Sequence, residues 1–361
     1  MSKRRYTRDT TVAAAEPGCA SIGPVSEPSD LLAAIDDLAA RAEPMALATI
    51  VDTRGSTYRR AGARLVVPPT GEPVGNISGG CLEGEVARIG REVMRSGVPR
   101  LVSFDMTADD DAVWGFGLGC NGAIEVFVEP TAGAIQAATL LRGAADGETP
   151  ITVVTVLDGP RAGTRWTEPP TAERPIVVEA DGERRFHEPI LPSMRLVVCG
   201  AGHDAIPLVR QAAELGWRVT VADVRRALLN AERFPGATDF SSADPAGAAG
   251  AVGADERTAV ILMSHNYLRD IAYLGALLDA PLAYLGVLGP RGRTEQMLAE
   301  IGRPEAIERL HAPAGLDIGA EGPEEVARAI VAEILAVTRG RGGGSLRDRD
   351  APIHGDVAES S

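Results

Sequence analysis

The sequence predicts an α/β protein of two main domains, an N-terminal α+β unit followed by a doubly wound parallel sheet. Three observations carry that expectation. At 361 residues the chain is longer than a single hydrophobic core usually serves. Its first third mixes strand and helix patterns with no regular alternation. From Met194 onward, buried strands alternate with amphipathic helices, and the first of these strands runs into a glycine turn.

At the N-terminus, Lys3-Arg4-Arg5 is followed by no apolar run of export-signal or membrane-spanning length. Residues 1–28, a Pro/Ala/Ser-rich arm that holds Cys19, read as disordered. Order is expected from Ser29-Asp30, a cap ahead of Leu31, Leu32, Ile35 and Leu38 at helical spacing. Residues 45–51 are apolar apart from Thr49 and read as a buried strand. A loop follows, Asp52-Thr53-Arg54-Gly55-Ser56-Thr57-Tyr58-Arg59-Arg60-Ala61-Gly62-Ala63, whose hydroxyls, arginines and two glycines form either an anion cradle or a solvated basic loop.

Residues 64–68 read as the next strand, and Gly71-Glu72-Pro73 as a hairpin turn leading to Asn76-Ile77-Ser78-Gly79-Gly80-Cys81-Leu82-Glu83. Leu82, Val86, Ile89 and Val93 then recur at helical steps, with Gly97 a natural end. Cys81 therefore sits where a helix begins, beside unpaired N–H groups and a positive dipole end that favour thiolate. Glu83 and Glu85 act against it. A small buried residue at a tight turn is the competing reading. A second thiol sits among glycines in Gly117-Leu118-Gly119-Cys120-Asn121-Gly122. Cys81 and Cys120 lack CxxC spacing and paired histidines, which speaks against structural zinc and leaves a thiophilic ligand or a sulfur-transfer step. Strands at 101–106 and 123–128 complete a domain spanning 29–130. Residues 131–193 read as a connector with a small β-rich extension, in which His187 is a surface residue.

Residues 195–199 form a buried strand that leads into Gly200-Ala201-Gly202-His203-Asp204-Ala205, a helix, and a second strand ending at Asp223. An acid about 20 residues beyond a GxGxxA turn matches the dinucleotide fingerprint of a Rossmann-like domain, with phosphate on the helix N-terminus and carboxylate on a ribose. His203 and Pro207 depart from the ordinary pattern, which points to a ligand other than a plain nicotinamide cofactor. Arg225 and Arg226 suit either a second phosphate or a solvated helix start. A third strand ends in Ser264-His265-Asn266 at the carboxyl edge, where such sheets bind ligands. His265 is placed there for chemistry or for a structural hydrogen bond. Gly289-Pro290-Arg291-Gly292-Arg293 sets two more arginines at a helix N-terminus. This domain is expected to span 194–339, and the Gly/Arg/Asp-rich residues 340–361 to form a disordered tail.

A net charge of −14 argues against nonspecific nucleic-acid binding. Four irregularly spaced cysteines make no disulfide framework and suit a reducing compartment.

From Leu31 to about Gly340 the chain resembles the XdhC/CoxI family, accessory factors that mature xanthine dehydrogenase and related molybdenum hydroxylases. The motifs that carry the likeness are Gly55-Ser56-Thr57-Tyr58-Arg59, Ser78-Gly79-Gly80-Cys81-Leu82-Glu83, Gly117-Leu118-Gly119-Cys120-Asn121-Gly122, Gly200-Ala201-Gly202-His203 and Leu288-Gly289-Pro290-Arg291. The resemblance implies a cytoplasmic, dimeric chaperone rather than a dehydrogenase. Such a protein would bind molybdenum cofactor, the molybdopterin with or without a dinucleotide extension. It would hold the cofactor while a cysteine desulfurase supplies the terminal sulfur, then deliver it to a molybdenum hydroxylase apo-enzyme. On that reading Cys81, with Cys120, contacts molybdenum or carries sulfur. Ser56, Arg59, Gly79, Gly80, Glu83, Gly119, Gly200, Gly202, His203, Asp223, Arg291 and Arg293 would hold the remainder of the cofactor. Two other classes stay open. One is an NAD(P)-dependent oxidoreductase with His265 as acid/base. The other is a thiol-dependent sulfur carrier or transferase with Cys81 as nucleophile.

Overall fold

The structure, a computed structural model, describes residues 29–55, 57–105, 122–242, 245, 253 and 255–348. Cys19, Ser56, Gly119 and Cys120 lie outside the described residues, as does the whole arm 1–28.

The N-terminal sheet runs β3-β2-β1-β5-β4 with every pairing antiparallel, formed by β1 (Ala46–Gly55), β2 (Arg64–Val67), β3 (Val74–Gly75), β4 (Arg100–Asp105) and β5 (Gly122–Pro130). Helices α1 (Ser29–Ala40) and α3 (Thr131–Asp146) cover one face, where Leu31, Ile35 and Ala134 pack on Leu47 and Val66. Helix α2 (Glu83–Ser96) covers the other, with Val86, Ile89 and Val93 against Ala46, Ala48 and Ile50. Alternate residues of β1 thus enter different cores, which is why residues 45–51 are apolar throughout. Strand β1 also extends beyond its expected end. A bulge between Ile50 and Asp52 lets it stay paired with β5 as far as Gly55 opposite Gly122, so Asp52, Thr53 and Arg54 are strand rather than loop.

A second antiparallel sheet, in the order β7-β6-β9-β8, is built from β6 (Ile151–Val156), β7 (Arg165–Glu168), β8 (Ile176–Ala180) and β9 (Glu183–Ile190). Its inner face meets the first sheet through the buried ion pairs Arg64–Glu188 and Arg165–Glu129.

The third sheet is parallel, with β10 (Arg195–Cys199), β11 (Arg218–Ala222), β12 (Asp239–Ser241), β13 (Thr258–Leu262) and β14 (Tyr284–Val287) in the order β12-β11-β10-β13-β14. Helices α4 (Ala205–Glu214) and α7 (Pro323–Thr338) pack on one face through Leu208, Ala212, Ile330 and Ile334. Helices α5 (Tyr267–Leu277) and α6 (Arg291–Ile301) pack on the other through Leu274, Leu277, Met297 and Leu298. This is the doubly wound arrangement that the sequence predicts. The chain leaves β10 in one direction to β11 and in the other to β13, so the crevice between the carboxyl ends of β10 and β13 is the topological switch point. Residues 340–348, expected within a disordered tail, are described and end in a 3-10 turn at Leu346–Asp348, with Gly343 against Leu316.

Candidate functional site

The Cys81 turn is organised by an acid. Glu83 Oε1 accepts the N–H groups of Ile77 at 3.1 Å and Ser78 at 2.8 Å. Its Oε2 accepts those of Gly80 at 3.0 Å and Leu82 at 3.2 Å, and the Ser78 hydroxyl as well. Burial works to raise the Glu83 pKa, but the hydrogen bonds from Ser78 and its neighbours outweigh it and hold the carboxyl below its ordinary value. The N–H groups expected to face a Cys81 thiolate are therefore taken up by Glu83. Cys81 itself precedes Leu82, the N-cap of α2, and is half-buried. Gly79 and Gly80 carry φ of +77° and +111°, conformations that L side chains rarely adopt.

Tyr58 joins the first two sequence motifs into one place. A Cβ on Gly79 would stand 3.3 Å from its ring, so the ring lies on the bare peptide beside Cys81 while staying 58% exposed. Arg59 is half-buried, and its carbonyl accepts the Thr57 hydroxyl at 2.9 Å. Sequence reasoning passes over Tyr58 as a site residue. Its signal, a tyrosine in a glycine and arginine loop, needs the contact with Gly79 to mean anything.

The second place is the carboxyl edge of the parallel sheet. Gly200 has φ +134°, and a Cβ there would overlap the Met263 carbonyl, so the turn after β10 and the end of β13 touch. Asp223, expected to read a ribose, is only 3% exposed and already committed. Its Oδ1 accepts the backbone N–H and Nε of Arg225 at 2.8 and 2.9 Å, and its Oδ2 accepts Arg225 Nη2 at 2.6 Å and the Ala201 N–H at 2.9 Å. Burial would raise this carboxyl, yet those bonds from Arg225 and the backbone bring it down to about 2. Arg225 is thus exposed yet committed to Asp223.

His265 lies at the end of β13 with φ +54°, and its Nε2 donates to Asp204 Oδ2 at 2.6 Å. Asp204 is not among the expected site residues. Arg293, expected to hold a phosphate, donates at 2.7 Å to buried Asp270, which also accepts the Ser264 hydroxyl at 2.5 Å. Arg291 is exposed and paired with Glu295 at 2.9 Å, and His203 is exposed. Arg233, which sequence reasoning also misses, donates Nη2 to the Ala201 carbonyl at 3.2 Å. Its buried Nε has no hydrogen-bond partner among the described residues. Cys199 is fully buried in the third sheet, where burial first and nearby Asp270 second push its thiol far above the ordinary range.

Among the described residues, no hydrogen bond, ion pair or ring contact links the Cys81 turn to the edge holding Gly200, Gly202 and His265. Nor is any group of three His, Cys, Asp or Glu side chains among them placed to hold a metal ion.

Fold and site together define a two-part protein, an α+β domain presenting a thiol turn joined to a Rossmann-type domain with a modified dinucleotide turn. The model of the XdhC and CoxI family matches residues 38–105, and that of the XdhC Rossmann domain matches residues 196–334. The chain is 31% identical to a Bacillus subtilis (strain 168) protein named as a probable subunit of xanthine dehydrogenase, over 83% of this chain and 95% of that one. It is 26% identical to the molybdenum cofactor insertion chaperone PaoD of Escherichia coli (strain K12), over 81% of this chain and 82% of that one. Among solved structures, one described as a xanthine dehydrogenase from Bacillus halodurans superposes with a TM-score of 0.69 at 29% identity, covering 88% of this chain and 98% of that one. The chain belongs to the XdhC and CoxI family.

Proposed function

We propose that this protein is a maturation factor for a xanthine dehydrogenase-like molybdenum hydroxylase. It would bind molybdenum cofactor, hold it while the terminal sulfur is installed, and pass it to the apo-enzyme. The names of two relatives, one for a part of xanthine dehydrogenase and one for a cofactor insertion chaperone, support that setting. The observation that carries it is the half-exposed Cys81 thiol, fixed in a turn that Glu83 ties down and Tyr58 walls on one side.

The residues fit such a cofactor in kind. A thiol is a soft donor suited to molybdenum or to carried sulfur. The bare backbone at Gly80, with nothing within 4 Å of where a Cβ would stand, permits close approach, and the exposed Tyr58 ring offers a flat face to a flat heterocycle. The chemistry supplied by the bound cofactor is that of a molybdenum centre carried by its own pterin. Cys81 would meet that centre, while Arg233 and the N-terminus of α4 suit a phosphate group. A cytoplasmic homodimer, a cysteine desulfurase as sulfur source, and a mono- or dinucleotide form of the pterin belong to the same proposal. The oxidoreductase reading is weakened by Asp223, because an NAD ribose would meet a carboxylate already closed by Arg225.

The test is expression in a host that makes the cofactor, followed by measurement of molybdenum and of the oxidised pterin that co-purify. The parent is expected to retain both, and Cys81→Ser to lose about tenfold or more of the molybdenum, the scale seen when a metal's surroundings are altered. Tight NAD(H) binding with neither molybdenum nor pterin retained would replace this reading with the oxidoreductase.

A further inference from the structure

In the dinucleotide fingerprint, the second glycine is bare so that a pyrophosphate can lie against the backbone. Here the chain fills that space itself. A Cβ on Gly202 would stand 2.5 Å from Asp204 Oδ1 and 3.5 Å from His265 Cδ2. Asp204 is the N-cap residue of α4 but makes no capping hydrogen bond; it folds back over Gly202 and accepts the Nε2 proton of His265 at 2.6 Å. The pair spans the switch point, since Asp204 follows β10 and His265 follows β13.

We propose that Asp204 and His265 form an internal plug in a diphosphate-binding cradle. The carboxylate stands where a ligand phosphate would stand, the imidazole holds it there, and a nucleoside diphosphate or dinucleotide enters only when the pair swings aside. Two anions cannot share the position, because like charges at contact distance repel strongly.

The closed arrangement is held with visible tension. Asp204 Oδ1 is buried without a hydrogen-bond partner among the described residues, a deficit that water would relieve once the side chain turned outward. His265 sits at φ +54°, a left-handed conformation that is uncommon for a residue with a side chain, and its side chain is 61% exposed and so has room to move. Arg233 is anchored on the Ala201 carbonyl, one residue before Gly202, with its Nε unspent, so the turn carries a cation with donor capacity left over. The ribose-reading acid is closed in the same manner, Asp223 by Arg225. Both recognition points of the fingerprint are thus answered from within the chain. The inference shares the N-terminus of α4 with the cofactor-maturation reading, and titration with ADP and pyrophosphate tests it without that cofactor.

The test is calorimetric titration of the full-length protein with ADP, repeated with inorganic pyrophosphate. Asp204→Ser removes the plug and keeps a capping oxygen for α4, and His265→Gly removes the latch at a backbone angle that suits glycine. If the open form is a tenth of the population or less, each substitution should tighten ADP binding by about tenfold or more. Binding that is unchanged or weaker in both variants would overturn the plug; weaker binding would place the pair among the groups that hold the ligand.

Discussion

Glu83 and Asp223 turn their carboxylates inward, onto backbone N–H groups of the two glycine turns. Each therefore couples local order to pH. Asp223 has a folded pKa of about 2 against an ordinary 3.8, and Glu83 is shifted in the same direction from 4.5. A depressed carboxyl contributes stability that is complete above its unfolded pKa and is lost as pH falls through the folded one. The window for Asp223 thus opens just below pH 4 and closes near pH 2. In urea unfolding, Asp223→Asn should be clearly less stable than the parent at about pH 6 and should approach it as pH drops toward about 3. A stability gap that stays constant across that range would show that the carboxylate's charge is not what holds the turn. The sequence signalled part of this. An acid in the first helical turn is an ordinary partner for backbone donors, so Glu83 could have been read as the turn's own anion. The bond from His265 to Asp204 could not, because the two residues meet only when β10 and β13 lie side by side.

Helix α2 was legible almost to the residue. Its apolar steps from Val86 to Val93 set the buried face, and Gly97 ends it in a left-handed cap at φ +70° whose N–H bonds the Val93 carbonyl. Strand β1 was legible only as far as Val51. Its continuation depends on β5, far along the chain, and on a bulge that no local pattern announces. The glycines of α2 give a paired prediction. Gly97→Ala places a methyl group in open space at a positive φ and should lower stability by about 1 kcal/mol. Gly84→Ala, in the first turn of the helix and also in open space, should raise it by up to about 0.5 kcal/mol. Melting temperatures should move in opposite directions, and a shared sign would mean that the first turn and the C-terminal cap of the helix have been assigned wrongly.

At the scale of the molecule, the doubly wound sheet followed directly from alternating buried strands and amphipathic helices. The joint between the two antiparallel sheets did not. It depends on Arg64, Glu188, Arg165 and Glu129, ionic residues within strands, of types that are almost never fully buried unless paired. Burial raises the Glu129 pKa even with Arg165 alongside, so that arginine is what keeps the acid tolerable there. Arg165→Met should cost about 3–5 kcal/mol by leaving a buried acid uncompensated, whereas adding Glu129→Leu to it should recover much of the loss. The urea midpoints of the single and double variants decide the matter; a double variant no better than the single would mean that shape, not charge, holds the sheets together.

One consequence follows from the knot that Glu83 ties around Ser78, Gly80 and Leu82. Two adjacent glycines would ordinarily leave such a knuckle wandering among many shapes, and any docking protein would have to freeze it. With the loop already pinned from beneath, a visitor to the sulfur of Cys81 meets a finished contour, and engagement there becomes a matter of collision and fit instead of refolding.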